Sequence, residues 1–326
     1  MWRVFYCQNL VTRSADVNYT KPALSFEQQA DQLLQRGFHA DRPKLIETLS
    51  RVSYYRLSAY WHPFKRADET FAPGTTLEKV WRRYTFDRQL RLLVMDGIER
   101  VEIAVLRTLM VEQHSRKYGP FGYRDPGNFR PEFAGLNHQR MVDDFDTSAN
   151  RSRESFVDHF RTKYFSAPGL PLWMAAEITS FGTLFTFYRH LNLPEQKNLA
   201  NQLGLPANVL QSWLFCLNYI RNVCAHHSRL WNRELGIRPM IPDRKNAPEW
   251  YSPTTLDNRR VFAVLTLSRW LLLRIAPQSR WPERLHDLLK NYPDVPLNLA
   301  GFPADWDTSP IWRGPPGHAT GPTIQT

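Results

Sequence analysis

The residue types best suited to catalysis lie close together in one polar segment, Tyr219–Arg233. Its fifteen residues include three arginines, two histidines and two asparagines. The four candidate catalytic residues of this segment fall within two helical turns: Arg221, Asn222, His226 and His227. Asn222 and His226 share a helix face because they are four residues apart. An apolar helical pattern leads directly into the segment, so we expect a rigid element to present these side chains.

This set of side chains suits the cleavage of RNA. RNA carries its own nucleophile, the 2′-OH, so a protein needs only to move two protons and to stabilise the charge on the phosphate. A histidine side chain titrates near neutral pH and can act as acid or base. An arginine is always charged and can bind a phosphate through two parallel hydrogen bonds. Such a site requires neither a metal nor a cofactor, and we predict none.

Three other interpretations of these residues remain open. Arg221 and the histidines could form a polar helix end, where the helix dipole stabilises a charged histidine. Cys216 and Cys224 could join the histidines in a zinc site, although their spacing fits no usual zinc pattern. Cys224 could be a nucleophile, although it lies on the apolar stripe of the helix. We favour a role for both cysteines as small core residues.

The chain resembles a known family at several places along its length. Arg221-Asn-Val-Cys-Ala-His226 matches the R-N-x-x-x-H form of the R-x4-6-H motif of HEPN ribonucleases. The surrounding sequence is similar to the Abi-like family of bacterial abortive-infection proteins, of the AbiD/AbiF type, over most of residues 21–290. The similarity rests on an ordered series of blocks: Lys21-Pro-Ala-Leu, Tyr54-Tyr-Arg-Leu-Ser-Ala-Tyr60 with Pro63-Phe64, Arg83-Tyr-x-Phe-Asp-Arg-Gln-Leu90, Ile98-Glu-Arg-Val-Glu-Ile103 with Arg107-Thr108, Trp173-x-x-x-Glu177, Ser180-Phe-Gly-Thr-Leu184, and Arg221 to Arg233.

The resemblance implies a helical HEPN domain that acts as a metal-independent endoribonuclease, usually as a homodimer with a composite active site. Family members are toxins or phage-defence effectors, and a small noncoding RNA holds some of them in check. On this interpretation Arg221 positions the scissile phosphate and His226 is the general acid and base, with support from Asn222. Glu177 is expected to hold Arg221 or to orient His226. An R-x5-H spacing makes His227 the alternative catalytic histidine.

Two other functions compete with this one. The first is a non-catalytic RNA-binding defence module held by a noncoding RNA, which would use the same basic surface without turnover. The second is nucleotide transfer, as in the wider HEPN group, but the sequence has no glycine-rich phosphate loop to support it.

The composition is typical of a protein that binds nucleic acid. The 326 residues contain 42 Lys and Arg against 31 Asp and Glu, a formal net charge of +11, and the pI is near 9.7. A basic, aromatic-rich chain makes nucleic acid the leading partner class. The 42% of hydrophobic residues excludes an intrinsically disordered protein. We predict RNA contacts at five arginines: Arg56, Arg83, Arg88, Arg229 and Arg233.

The sequence also indicates a compartment. Its three cysteines form no disulfide framework. The first residues lack the pattern of a signal peptide, and no stretch approaches the roughly 20 apolar residues of a membrane span. We therefore expect a cytoplasmic protein that does not contact the membrane.

Helical patterns dominate the chain and predict an all-α fold. The longest apolar repeat predicts one helix over about residues 77–115, opened by a capping box at Thr75–Glu78. A hairpin around Tyr60–Phe71 and a loop over Pro120–Asn150 interrupt the pattern. Further helices are predicted from the Ser25–Gln28 capping box to Gly37, from Pro43, over 154–164, 172–191 and 194–204, from Pro206 into the polar segment, and over 256–275 and 282–291.

These patterns also predict the domain organisation. Residues 1–20 are expected to be an N-terminal extension. The resemblance implies that residues 21–291 form an Abi-like helical domain, with a HEPN-type bundle at about 75–276 and an additional N-terminal helical lobe. Residues 292–326 are predicted to be a Pro- and Gly-rich C-terminal tail, disordered or lying along the surface.

Overall fold

Helices form the secondary structure of residues 22–313, the part of the chain that the computed structural model describes. Within this range there is no strand or sheet, and extended backbone pairs only in isolated bridges. The prediction of an all-α fold is confirmed. The predicted N-terminal extension lies outside the described residues.

The α-helices are α1 (Phe26–Gln35), α2 (Arg42–Val52), α3 (Tyr54–Trp61), α4 (Leu77–Val101), α5 (Val111–Tyr118), α6 (Leu136–Arg151), α7 (Ser155–Lys163), α8 (Leu172–Ile178), α9 (Phe181–His190), α10 (Leu193–Gln202), α11 (Ala207–Ala225), α12 (Val261–Ile275), α13 (Trp281–Asn291) and α14 (Pro310–Arg313).

The chain divides into two compact units, with the boundary between Trp81 and Arg82 inside α4. In the first unit, helices begin where the sequence supplies a cap. The predicted capping box at Ser25 is present at the start of α1, with both of its hydrogen bonds formed. Asp41 caps α2, and Pro43 follows at an early position where a missing N–H costs nothing.

Two local predictions in the first unit are corrected. The cap of α4 is Thr76, whose hydroxyl accepts the N–H three residues on, and not Thr75, whose hydroxyl donates to a preceding carbonyl. The hairpin predicted around Tyr60–Phe71 is replaced by the end of α3, a 3₁₀ turn and one antiparallel bridge between Lys65 and Phe71. Leu57, Tyr60 and Trp61 form the buried face of α3, so the spacing of the buried residues follows the helical repeat and not the two-residue repeat of a strand.

The long helix predicted over residues 77–115 is confirmed as a continuous helical rod. Helix α4 passes into a π-helical stretch, Glu102–Met110, and then into α5. π-Helical turns are rare and frequently occur at functional sites. This stretch carries Glu102 and Arg107, which act at the end of a neighbouring helix.

Helix α6 lies inside the stretch predicted to be a loop, Pro120–Asn150. The first part of that stretch does form short 3₁₀ turns. The second part is helical because Met141, Val142 and Phe145 are buried at helical spacing. Asp143 and Asp144 lie between them, and the many polar residues of the stretch gave it the composition of a loop. The helix predicted over 172–191 is likewise two helices, α8 and α9.

Helices α11 and α12 carry much of the apolar core of the second unit. Helix α11 buries the predicted stripe, which runs from Leu210 through Trp213 to Cys224. Helix α12 is buried along nearly its whole length, as expected for a helix that is apolar all round. Because one side of α11 is fixed in the core, its polar C-terminal end is held in place.

Residues 292–313 pack within the second unit and do not form the predicted surface tail. Ile311 and Trp312 are buried, and Trp312 Nε1 donates to Thr266 Oγ1 at 3.2 Å. Gly301 has a φ of +89°, and a Cβ at this position would lie 2.4 Å from Arg260 Cβ. The prolines and glycines of this segment therefore shape tight turns between aromatic anchors. Residues 314–326 of the predicted tail lie outside the described residues.

Candidate active site

Helix α11 ends in a Schellman turn that carries both histidines. Ser228 N donates to Val223 O at 3.0 Å and His227 N donates to Cys224 O at 2.9 Å, which is the hydrogen-bond pattern of that motif. His227 occupies the left-handed position of this Schellman turn, with a φ of +55°. Glycine or asparagine is usual there, because a Cβ makes the left-handed conformation strained. The chain thus keeps a histidine where the backbone favours glycine.

Three side chains at this end of α11 have no hydrogen bond or ion pair with any residue in the described range. Arg221 is half-buried, whereas Asn222 and His226 are exposed. His226 is the C-cap, and its backbone N–H donates to Asn222 O at 3.0 Å. The guanidinium, the amide and the imidazole are therefore available to an external ligand.

A buried ion pair anchors the chain that follows the histidines. Asp87 is fully buried and accepts hydrogen bonds from Leu230 N at 3.0 Å and from Trp231 N at 2.7 Å. Arg91, one turn further along α4, forms an ion pair with Asp87 and donates to Ser228 O at 3.5 Å. These bonds compensate the cost of burying the carboxylate. Helix α4 therefore holds the histidine turn in a fixed position.

Arginines surround this turn. The segment Tyr219–Arg233 contains no carboxylate to offset their charge. Arg83 stacks on Trp231, with 5.6 Å between the guanidinium carbon and the ring centroid, and burial lowers the pKa of Arg83. Arg233 Nε donates to Arg229 O at 2.8 Å, and both residues are half-buried. Three of the five arginines predicted to contact RNA are thus on or beside this turn.

The other two predicted RNA contacts lie elsewhere. Arg88 is exposed on α4, and Arg56 is exposed on α3 in the first unit. The arginines that flank Arg88 on α4 do not continue as an exposed row. Arg82 Nε donates to Asp294 Oδ1 at 2.9 Å, and Arg91 is buried.

The π-helical stretch caps the end of α8. Arg107 Nη2 donates to Thr179 O at 2.9 Å, and its Nη1 donates to Ala176 O. Glu102 holds the same guanidinium, with 3.1 Å between Arg107 Nε and Glu102 Oε1. The carbonyls at a helix C-terminus otherwise lack partners. This contact therefore fixes the break between α8 and α9.

The Ser180–Gly182 block lies beside α11. Ser180 caps α9 by accepting the N–H of Thr183 at 3.2 Å. A Cβ on Gly182 would lie 3.9 Å from the side-chain amide of Asn218, which is ordinary van der Waals distance. Asn218 precedes Arg221 by one helical turn, so the start of α9 borders the candidate site.

The structure places Glu177 in a different cleft. It is exposed in the last turn of α8 and lines this cleft with Arg151 and Arg153. In the part of the chain that the structure describes, Glu177 makes no hydrogen bond or ion pair with Arg221 or His226. The role predicted for Glu177 is therefore not part of the function proposed below.

Both cysteines of α11 are buried, and burial raises the pKa of each thiol to about 12. Cys216 donates its S–H to Ile237 O at 3.3 Å. Since the thiolate is the nucleophile and the metal ligand, a thiol with this pKa is inert at neutral pH. Their positions favour the interpretation of Cys216 and Cys224 as core residues.

Asp87 and Arg91 organise the site and were not predicted from the sequence. The seven-residue spacing of the buried residues on α4 did contain a signal for Asp87. Asp87 lies seven residues from Val80 and seven from Val94, both of which are buried, so it falls on the core face of α4. A carboxylate at such a position, with an arginine four residues later, predicts a buried ion pair.

Replacing His227 with glycine is expected to raise the free energy of unfolding by about 1 kcal/mol, because glycine takes the left-handed conformation without strain. Urea unfolding followed by tryptophan fluorescence measures this change. His227→Ala is the matched control, since alanine loses the imidazole and keeps the strained Cβ. A His227→Gly protein that is less stable than the wild type would contradict the prediction.

A family model for Abi-like proteins matches residues 47–232, more than half of the 326 residues. The chain belongs to the Abi-like family. Membership suggests a role in abortive-infection phage defence. The matched range is narrower than the resemblance over residues 21–290, and it ends just after the turn that Asp87 anchors. No curated protein and no solved structure gives a significant match to this Abi-like chain. Among the described helices, none has the length and apolar character needed to cross a bilayer.

Proposed function

We propose that this Abi-like protein is a metal-independent endoribonuclease of the HEPN type, related to the AbiD/AbiF defence proteins and controlled by a noncoding RNA. One observation carries the proposal. Arg221, with no partner among the described residues, lies in the last turn and a half of α11, and two exposed histidines follow it on a turn that a buried ion pair anchors. A guanidinium and two imidazoles at the end of one helix suit phosphoryl chemistry.

The proposed reaction needs two proton transfers. A base removes the proton of the 2′-OH, and the 2′-oxygen attacks the adjacent phosphorus. A bond from phosphorus to the 2′-oxygen forms, and the bond from phosphorus to the 5′-oxygen breaks. An acid gives a proton to the departing 5′-oxygen. The products are a 2′,3′-cyclic phosphate end and a 5′-hydroxyl end.

The residues at the end of α11 supply the groups for these steps. Arg221 binds the phosphate and stabilises its charge in the transition state. His226 acts as the principal acid or base, and Asn222 orients it or an RNA oxygen. The left-handed backbone of His227 supports a role for its imidazole, since strained residues persist and cluster at functional sites. His227 is proposed as the partner that transfers the second proton.

A homodimer would complete the site. The outer face of α11 carries Phe215, which is 44% exposed, and then Asn218 and Asn222 one turn apart. An isologous contact along this face would bring two copies of Asn222 and His226 together, with each Arg221 on the neighbouring helix face. We propose this composite arrangement for the active protein.

Cleavage of purified RNA in EDTA tests the proposed function. The wild type is expected to release 2′,3′-cyclic phosphate ends, detected by mass spectrometry. Arg221→Ala is expected to slow cleavage by about 10²–10³-fold, as for the loss of other transition-state donors. The matched control is Arg116→Ala, which removes an exposed arginine on α5 that pairs with Glu112.

Each outcome of this assay has a definite meaning. Cleavage at the wild-type rate by Arg221→Ala would overturn the site. Cleavage only on addition of a metal ion would overturn the mechanism. Tight RNA binding without any cleavage by the wild type would replace the proposal with the non-catalytic RNA-binding module.

A further inference from the structure

The end of α7 exposes aromatic side chains outside the candidate active site. Phe165 is 90% exposed and Tyr164 is 49% exposed. Among the large hydrophobic residues in the described range, none is more exposed than Phe165. The two rings are adjacent in the chain, and exposed apolar side chains that lie together, unlike single ones, mark interaction sites.

A cleft of about 350 Å³ opens beside these rings. The rings of Phe160, Tyr164 and Phe165 line it together with the polar side chains of Asp146, Asn150 and Arg161. Such a volume is within the range of sites that hold small molecules. Aromatic rings beside amide and guanidinium groups suit a flat aromatic ligand such as a nucleobase.

Positive charge accompanies the aromatic rings. Lys163 Nζ lies 5.3 Å from the centroid of the Tyr164 ring, and Arg161 Nη2 donates to Asn150 Oδ1 at 2.7 Å. On the other side of the C-terminal turn of α6, Arg151 and Arg153 line a second cleft of about 640 Å³. Across the described residues, none of these four cations forms an ion pair.

We infer that the Arg161–Phe165 surface is a second RNA-contacting site, which takes a single-stranded segment by stacking bases on Phe165 and Tyr164 and binding phosphates at Arg161 and Lys163. A row of cations interleaved with aromatic rings is how proteins bind single strands without sequence preference. A duplex would not fit as well, because its bases are stacked on one another and not free. The inference rests on the proposed function only in taking RNA as the ligand.

Binding measured by fluorescence anisotropy tests this site with the full chain. The probe is a fluorescein-labelled 12-nucleotide 2′-O-methyl oligouridine, which lacks the free 2′-OH that cleavage requires, and the background is the wild-type sequence. Phe165→Ala is expected to weaken binding about tenfold at constant salt, because one base loses its stacking partner. It should leave the slope of log K against log salt unchanged.

The double variant Arg161→Gln/Lys163→Gln is expected to reduce the salt dependence of RNA binding. Each phosphate contact on a single strand contributes about 0.7 to the slope, so the slope should fall by about 1.4. A purely structural effect of the substitutions would not lower the affinity alone in Phe165→Ala and the salt slope in the double variant. An RNA duplex of the same length should show little change with Phe165→Ala.

Two controls match these variants in character. Leu136→Ala removes another exposed apolar side chain, which is 76% exposed on α6. Arg100→Gln/Arg116→Gln removes two exposed positive charges elsewhere. Unchanged affinity in Phe165→Ala, or equal loss in the controls, would overturn the second site. Failure of the proposed ribonuclease would appear separately, as absent cleavage in EDTA, and would leave this binding test valid.

Discussion

Replacing Asp87 with alanine is expected to lower the free energy of unfolding by about 3–5 kcal/mol, the usual cost of removing one partner from a buried ion pair. Asp87 is fully buried, and the side chain of Arg91 is only 7% exposed. The substitution leaves the guanidinium without its countercharge. It also deprives Leu230 N and Trp231 N of the carboxylate that accepts their hydrogen bonds. The uncompensated buried charge and the two lost hydrogen bonds both lower the free energy of unfolding.

Urea unfolding gives the required free energies through the midpoint and the slope of the transition. Glu112→Ala is the matched control, because Glu112 and Arg116 form an ion pair with the same four-residue spacing on an exposed helix face. This control should change stability by less than about 1 kcal/mol. Asp87→Asn keeps one acceptor oxygen, so its free energy of unfolding should fall between those of Asp87→Ala and Glu112→Ala. An Asp87→Ala protein as stable as the Glu112→Ala protein would show that the pair does not anchor the turn.

The helix that carries the candidate site could be predicted from the sequence, whereas the contacts of its anchor with the histidine turn could not. The apolar stripe of α11 repeats at helical spacing up to Cys224, so both the helix and its polar end follow from periodicity. Asp87 and Arg91 interrupt a similar stripe in α4. The heptad spacing places Asp87 on the core face of α4, but its partners, the backbone N–H groups of Leu230 and Trp231, lie far along the chain. Only the tertiary structure brings them together.

The stretches that were not predicted have a common cause. Helix α6 and residues 292–313 are rich in residues that favour turns or loops, and composition predicted them accordingly. In both cases a few large side chains decide the outcome, such as Phe145 in α6 and Trp312 in the C-terminal segment. Burial of these rings outweighs the weak local preferences of their neighbours. Glu177 shows the same limit, since its sequence block did not reveal which cleft it lines.

Several family blocks serve to hold the candidate site in position. Asp87 lies in the block from Arg83 to Leu90 and anchors the histidine turn. Glu102 and Arg107 lie in the next blocks and cap α8. The block that begins at Ser180 starts α9 beside α11. These blocks thus contain residues that hold the histidine turn and that fix the break between α8 and α9 beside α11.

Removing either histidine is expected to reduce RNA cleavage, with opposite consequences for stability. His226→Ala should slow cleavage by about 10²–10⁴-fold, the range for loss of a general acid or base. Its stability should be close to that of the wild type because His226 is exposed and its side chain has no partner in the described range. His227→Gly should be more stable than the wild type and should cleave at least about tenfold more slowly.

The pair of variants separates catalysis from folding at this turn. His62→Ala, which removes an exposed histidine of the first unit, is the control and should keep the wild-type rate. A wild-type rate in His227→Gly would assign catalysis to His226 alone and leave the left-handed histidine without a chemical role. A wild-type rate in His226→Ala together with a slow His227→Gly would make His227 the principal acid or base. Slow cleavage in both, with stability raised only in His227→Gly, would show that the strain at this turn is retained for the reaction.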